Sequence, residues 1–137
     1  MSVRSFAWSL LIVASAWVIG CGSGRPPVYP VHGQVRWKNL IPEGAQVVFH
    51  PVGKAGTDVV RPTGLVDRDG KFVLTTYTAG DGAPPGDYDV TVEWWVSPGR
   101  DLPAVNKLPA TYARAESSRM QVKIAPGTNE LQPFELK

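Results

Sequence analysis

Chemistry has few starting points in this chain of 137 residues, which holds two histidines, one cysteine and twelve acids. Three protein ligands suffice for an open zinc site, so His32, His50 and an acid such as Asp58 form one combination to weigh. Neither histidine sits in a short ligand-spaced motif, and each falls near the end of an expected strand. No metal site and no cofactor are therefore expected. Asp67 and Asp69-Gly70 look like the start of a calcium loop, but a twelve-residue loop needs a bidentate acid at its end, where this chain has Thr78. A looser calcium site would have to use Asp81, Asp87 or Asp89. Paired carboxylates for glycoside hydrolysis need opposed environments across a cleft, whereas Asp87, Asp89 and Glu93 alternate along one solvent-facing strand. Ser23, between Gly22 and Gly24, lacks the flanking strand and helix of a nucleophile elbow. A non-catalytic structural or binding module is expected, with attachment or scaffolding at the membrane surface as its leading role; an accessory enzyme is the lesser alternative.

Cys21 has no second cysteine to pair with, so it is a buried thiol, an intermolecular link or a modification site. Its neighbours point to modification. Arg4 is followed by an uncharged, mostly apolar run over residues 6–19, too short for a span of about 20 residues and suited to a signal-peptide core. Val18-Ile19-Gly20-Cys21 resembles a lipobox, with the small Gly20 at the cleaved bond and the Cys21 thiol as the nucleophile that takes diacylglycerol. Residues 1–20 then read as a lipoprotein signal peptide, and Cys21 tethers the protein to a membrane of the cell envelope. The plainer alternatives are a secreted protein with a stray cysteine or an uncleaved anchor. Two or more acyl chains make a stable anchor. Gly22 stands where inner-membrane retention would by resemblance place an Asp, so a periplasm-facing or outer-membrane location is expected. Residues 21–30 form a linker, flexible at Gly-Ser-Gly and stiffened by Pro26-Pro27.

The tryptophans are the other candidates. Trp94 and Trp95 are adjacent, so they cannot both face the core from one strand. The stretch 95–111 (WVSPGRDLPAVNKLPAT) reads as a long irregular loop, and such loops are often functional. An exposed Trp95 beside Arg100, Asp101, Asn106 and Lys107 would offer a stacking face to a glycan or a dock for an envelope protein. The plainer expectation is that the loop folds back and tucks the ring under Leu102 or Leu108. Nucleic acid is not an expected partner: the formal net charge is only +2 and the basic residues are scattered, without the clustered footprint that phosphate binding requires.

The elements that would position these residues are strands. Apolar residues make up 43% of the chain, enough for a folded core. The fourteen glycines and thirteen prolines interrupt every amphipathic helical pattern after position 25. The strongest strand is 87–94, where Tyr88, Val90, Val92 and Trp94 alternate with Asp87, Asp89, Thr91 and Glu93. That period of two places one face on a core and one in water. Asp69-Gly70 between strands 63–68 and 71–77 is a hairpin signal. Further strands are expected at 31–37, 45–50 (central, with apolar groups on both faces), 119–124 and 131–136. Seven strands with turn-rich spacing predict an all-β, antiparallel two-sheet sandwich over 31–137.

A hairpin carrying Gly64, Asp67, Gly70 and Phe72, followed by a strand carrying Pro85, Gly86, Tyr88, Val90 and Val92, resembles the carboxypeptidase-regulatory-like, or transthyretin-like, β-sandwich domain. Leu108-Pro109-Ala110-Thr111-Tyr112 extends the likeness, resembling the Leu-Pro-x-x-Tyr segment before the penultimate strand. The whole chain resembles small bacterial envelope lipoproteins with this single domain. The resemblance implies the sandwich and no defined activity. The hydroxyisourate hydrolases of the same fold end in Tyr-Arg-Gly-Ser, and this sequence ends Phe134-Glu135-Leu136-Lys137, so their activity is not expected here.

Overall fold

The computed structural model describes residues 24–137. Gly20, Cys21 and the expected signal peptide lie outside the described residues. The described chain forms ten short strands: β1 (Val31–Trp37), β2 (Gln46–Pro51), β3 (Thr63–Leu65), β4 (Lys71–Val73), β5 (Gly86–Glu93), β6 (Trp95–Val96), β7 (Val105–Asn106), β8 (Met120–Ile124), β9 (Asn129–Glu130) and β10 (Phe134–Leu136). A 3-10 turn at Ala110–Ala113 and a single helical turn, α1 (Ala115–Ser118), precede β8.

Two sheets face each other. One is ordered β3-β2-β5-β8 and the other β10-β1-β4, with β9 also on β1; β6 and β7 form a separate ribbon. As expected, β2 is central, with Val47 and Phe49 fully buried. Alternate positions supply the core: Val31, Val35, Phe72 and Leu136 from one sheet, Phe49, Tyr88, Val90, Val92 and Ile124 from the other. Phe49 meets Phe72 edge-on at 6.3 Å and tilts against Tyr88 at 5.7 Å. Phe72 needs Gly33 opposite it, because a β-carbon there would fall within its ring.

The expected sandwich is present, with two corrections. The β3-β2-β5-β8 sheet is antiparallel throughout, but β1 pairs with β9 and β10 in parallel. After β8 the chain turns at Pro126-Gly127 and crosses to the other sheet, so its last strands start at the same end as β1 and run alongside it. The expected strand 131–136 is split at Pro133, which has no N–H for a ladder; its part after Pro133 is β10. The turn forms as expected, but its arms part: β3 joins β2 in one sheet and β4 joins β1 in the other, with a single bridge at Thr63 and Thr75 between them. Asp67 Oδ1 accepts from the amides of Asp69 (2.8 Å) and Lys71 (2.9 Å), and Gly70 takes φ +81°.

The strand directions define two poles. At one lie the start of β1, loop 52–61, loop 74–86 and the turn after β8, as Asn129 beside Val31, Val52 beside Asp87 and Ala83 beside Tyr29 show. At the other lie Trp37, the 38–44 turn, Trp94 and the β6–β7 ribbon. Eight-residue β5 connects them, about 25 Å at strand rise.

Candidate functional site

At Trp94 the chain leaves the sheet. Its amide donates to Asn106 Oδ1 (2.9 Å), its carbonyl accepts from the Lys107 amide (2.8 Å), and its indole Nε1 donates to the Glu43 carbonyl (2.8 Å). The ring lies edge-on to Trp37 at 6.1 Å. Trp94 thus closes the far pole, as its alternation with Val92 suggested.

Beyond this hinge the stretch read as an irregular loop is a β-ribbon, with Trp95 opposite Asn106 and Val96 opposite Val105. Trp95 is 57% exposed, which corrects the expectation that the loop would cover it. Neither proposed cover serves: Leu102 is itself 58% exposed, and Leu108 is buried in the core. The Trp95 ring is nevertheless held, since its Nε1 donates to Glu93 Oε2 at 2.9 Å. Residues two apart on extended chain share a face, so this pair was readable in the sequence, although Glu93 was assigned only to solvation. Val105, 47% exposed, pairs with Val96 and so lies on the ribbon face opposite Trp95.

The other candidates separate by role. Arg100 and Asp101 are exposed in the ribbon's turn, and the Lys107 side chain is exposed where the ribbon rejoins the body. Asn106 is committed internally, its Oδ1 accepting from both Trp94 and Leu108 amides. It clasps the ribbon rather than facing a ligand.

The remaining polar groups are engaged in holding the fold. Asp81 accepts from the amides of Thr76, Tyr77 and Thr78 at 2.7–2.9 Å. Partial burial pushes this carboxyl upward but is outweighed by the amides of Thr76, Thr78 and Tyr77, which leave it below its ordinary value. Asp81 is therefore a turn clasp, and Asp67 is another. His50 Nε2 lies 2.9 Å from Thr91 Oγ1. Burial, with Arg61 adding to it, lowers the His50 pKa against the opposing pull of Asp89 and Glu116. His32 and His50 stand on different sheets. Among the described residues no three His, Cys, Asp or Glu side chains are grouped to hold a metal. A groove of about 1000 Å³ between β8 and β10 is lined by Tyr112, Met120 and Phe134 among others, and by no residue of the ribbon. No helix among the described residues is long and apolar enough to cross a membrane.

No family model matches this chain, and no curated protein matches it. Among solved structures, the crystal structure of a DUF3823 family protein from Parabacteroides merdae is similar over 82% of this chain, at 17% identity and a TM-score of 0.43. The match covers 47% of that protein, so this chain spans about half the length of its structural neighbour.

Proposed function

We propose that this protein is a lipid-anchored, non-catalytic binding module of the cell envelope, which presents the Trp95 ribbon to a partner at the pole opposite its tether. The observation that carries this reading is the Trp95 ring itself, uncovered yet oriented by Glu93. Large exposed apolar surface on a folded domain marks interaction sites, and a ring of fixed orientation loses less freedom on binding. The lipobox at residues 18–21 supports the anchor, and the likeness to carboxypeptidase-regulatory-like lipoproteins supports the envelope setting. The preferred partner is an envelope protein, because Trp95 and Leu102 are both large apolar side chains left uncovered at this pole.

A carbohydrate-binding role is the second reading, favoured by the same ring, since an exposed indole face can stack on a sugar. Asn106 would not contribute to it. Two measurements test these readings. The intact mass of the mature protein should carry acyl chains on Cys21; a bare cysteine would refute anchoring. Trp95→Ala should leave the melting midpoint unchanged. If the wild type binds isolated envelope polysaccharide and Trp95→Ala does not, the partner is a glycan. If neither binds polysaccharide, the glycan reading fails and a protein partner remains to be captured at position 95.

A further inference from the structure

The tether pole has a surface of its own. Only two residues separate Cys21 from Gly24, a reach of about 10 Å at full extension over the three steps. Just past Gly24 the chain is fastened to the body. The Arg25 guanidinium lies over the Tyr77 ring, 5.2 Å from its centroid. Tyr29 and Ala83 exchange two backbone hydrogen bonds, at 2.9 and 3.0 Å. Beside this fastened segment is a pocket of about 380 Å³ lined by Pro26, Val52, Val60, Pro84, Pro85 and Tyr88, among others. Prolines have no N–H to offer, and the Tyr88 hydroxyl is spent on the Pro84 carbonyl at 2.7 Å. Most of these groups present carbon to an occupant. Val52 and Val60 are 51% and 39% exposed. Lys54, Asp58 and Asp87 line the same pocket, so its rim carries charge of both signs.

We propose that this pole is a lipid-contacting surface, on which Val52 and Val60 enter the headgroup boundary and the pocket beside Pro26 receives an apolar chain of a bilayer lipid. This rests on the proposed acylation of Cys21, which through so short a tether brings the pole to the membrane surface. Apolar side chains at such a boundary gain by burial. The domain then stands upright, with the Trp95 ribbon held about 25 Å away by the length of β5.

The arrangement of tryptophans makes this testable. Trp37, Trp94 and Trp95 all lie at the far pole, and Trp8 and Trp17 precede the expected cleavage site. The full mature lipoprotein is reconstituted into vesicles of phosphatidylethanolamine and phosphatidylglycerol, with and without bromine on the acyl chains, a short-range quencher of indole emission. Wild-type emission should be the same in both. Val60→Trp should add emission that falls at least twofold in brominated vesicles, and Val52→Trp serves if the first variant does not fold. Protein that floats with the vesicles but shows no quenching from either position overturns the proposal. Equal quenching of the native rings also overturns it, since the domain would then lie on its side. Protein that neither carries acyl chains nor floats refutes the anchor, and the inference with it.

Discussion

Replacing Gly82 by alanine should peel the N-terminal segment off the sandwich. Gly82 has φ +101°, and a β-carbon there would land inside the Tyr29 carbonyl group. Keeping the segment in place would require a strained backbone, at about 1–3 kcal/mol, together with a collision between two main chains that neither can avoid. Releasing residues 24–29 removes the collision and leaves residue 82 free to relax its backbone. It forfeits the two Tyr29–Ala83 hydrogen bonds, about 0.5–1.5 kcal/mol each, and the Arg25–Tyr77 contact, about 0.5–1 kcal/mol at an exposed site. The release therefore lowers stability by about 1.5–4 kcal/mol, and the core strands should survive it. Amide hydrogen exchange reads the result residue by residue. In Gly82→Ala the Tyr29 and Ala83 amides should exchange much faster than in the wild type, while those of β2 and β5 remain protected. Unchanged protection at Tyr29 and Ala83 with an unchanged melting midpoint would refute the close approach of these two segments.

Two further outcomes follow from the turns. Gly70→Val places a β-branched residue at φ +81° with its β-carbon 3.0 Å from the Val35 carbonyl. It should cost about 1–3 kcal/mol, read as a shift in urea midpoint, and an unchanged midpoint would remove the left-handed turn from the structure. Asp81 has a lowered pKa in the fold, so its contribution is fully present above the unfolded carboxyl value, near pH 4, and is lost as pH falls through the lower folded value. Wild type should therefore lose more stability than Asp81→Asn across that acidic window in parallel melting series. Identical pH slopes would show that the carboxylate is not held by the amides of 76–78.

Local pattern carried most of the sandwich. Alternation of Tyr88, Val90 and Val92 against Asp87 and Asp89 was sufficient to place β5, and Asp67 to Gly70 was sufficient to place the turn, because both signals are short-range. That the arms of the turn join different sheets is not a short-range matter. What escaped was long-range. Nothing near residues 134–136 indicates that they run parallel to β1, since that follows from where the chain crosses between sheets. The segment 24–30 reads as spacer, yet Tyr29 meets Ala83 through a gap that only Gly82 leaves open. Trp95-Val96 and Val105-Asn106 are too short, and too interrupted by Pro98, Gly99 and Pro103, to announce a ribbon. Their pairing depends on Asn106 bonding the hinge at Trp94. The exposure of Trp95 runs against expectation, because a large apolar ring favours burial by default and nothing local shows that Leu102 points elsewhere.

The most direct test of the Trp95 ribbon as the recognition element is in-cell photo-crosslinking of the lipidated protein. A photoreactive residue is placed at position 95 on the ribbon or at position 128 in the turn of the tether pole, both exposed. A discrete adduct to a single envelope protein from position 95, with none to that protein from position 128, is the expected result. Adducts of equal yield from both positions, or none from position 95, would contradict a recognition role for the ribbon.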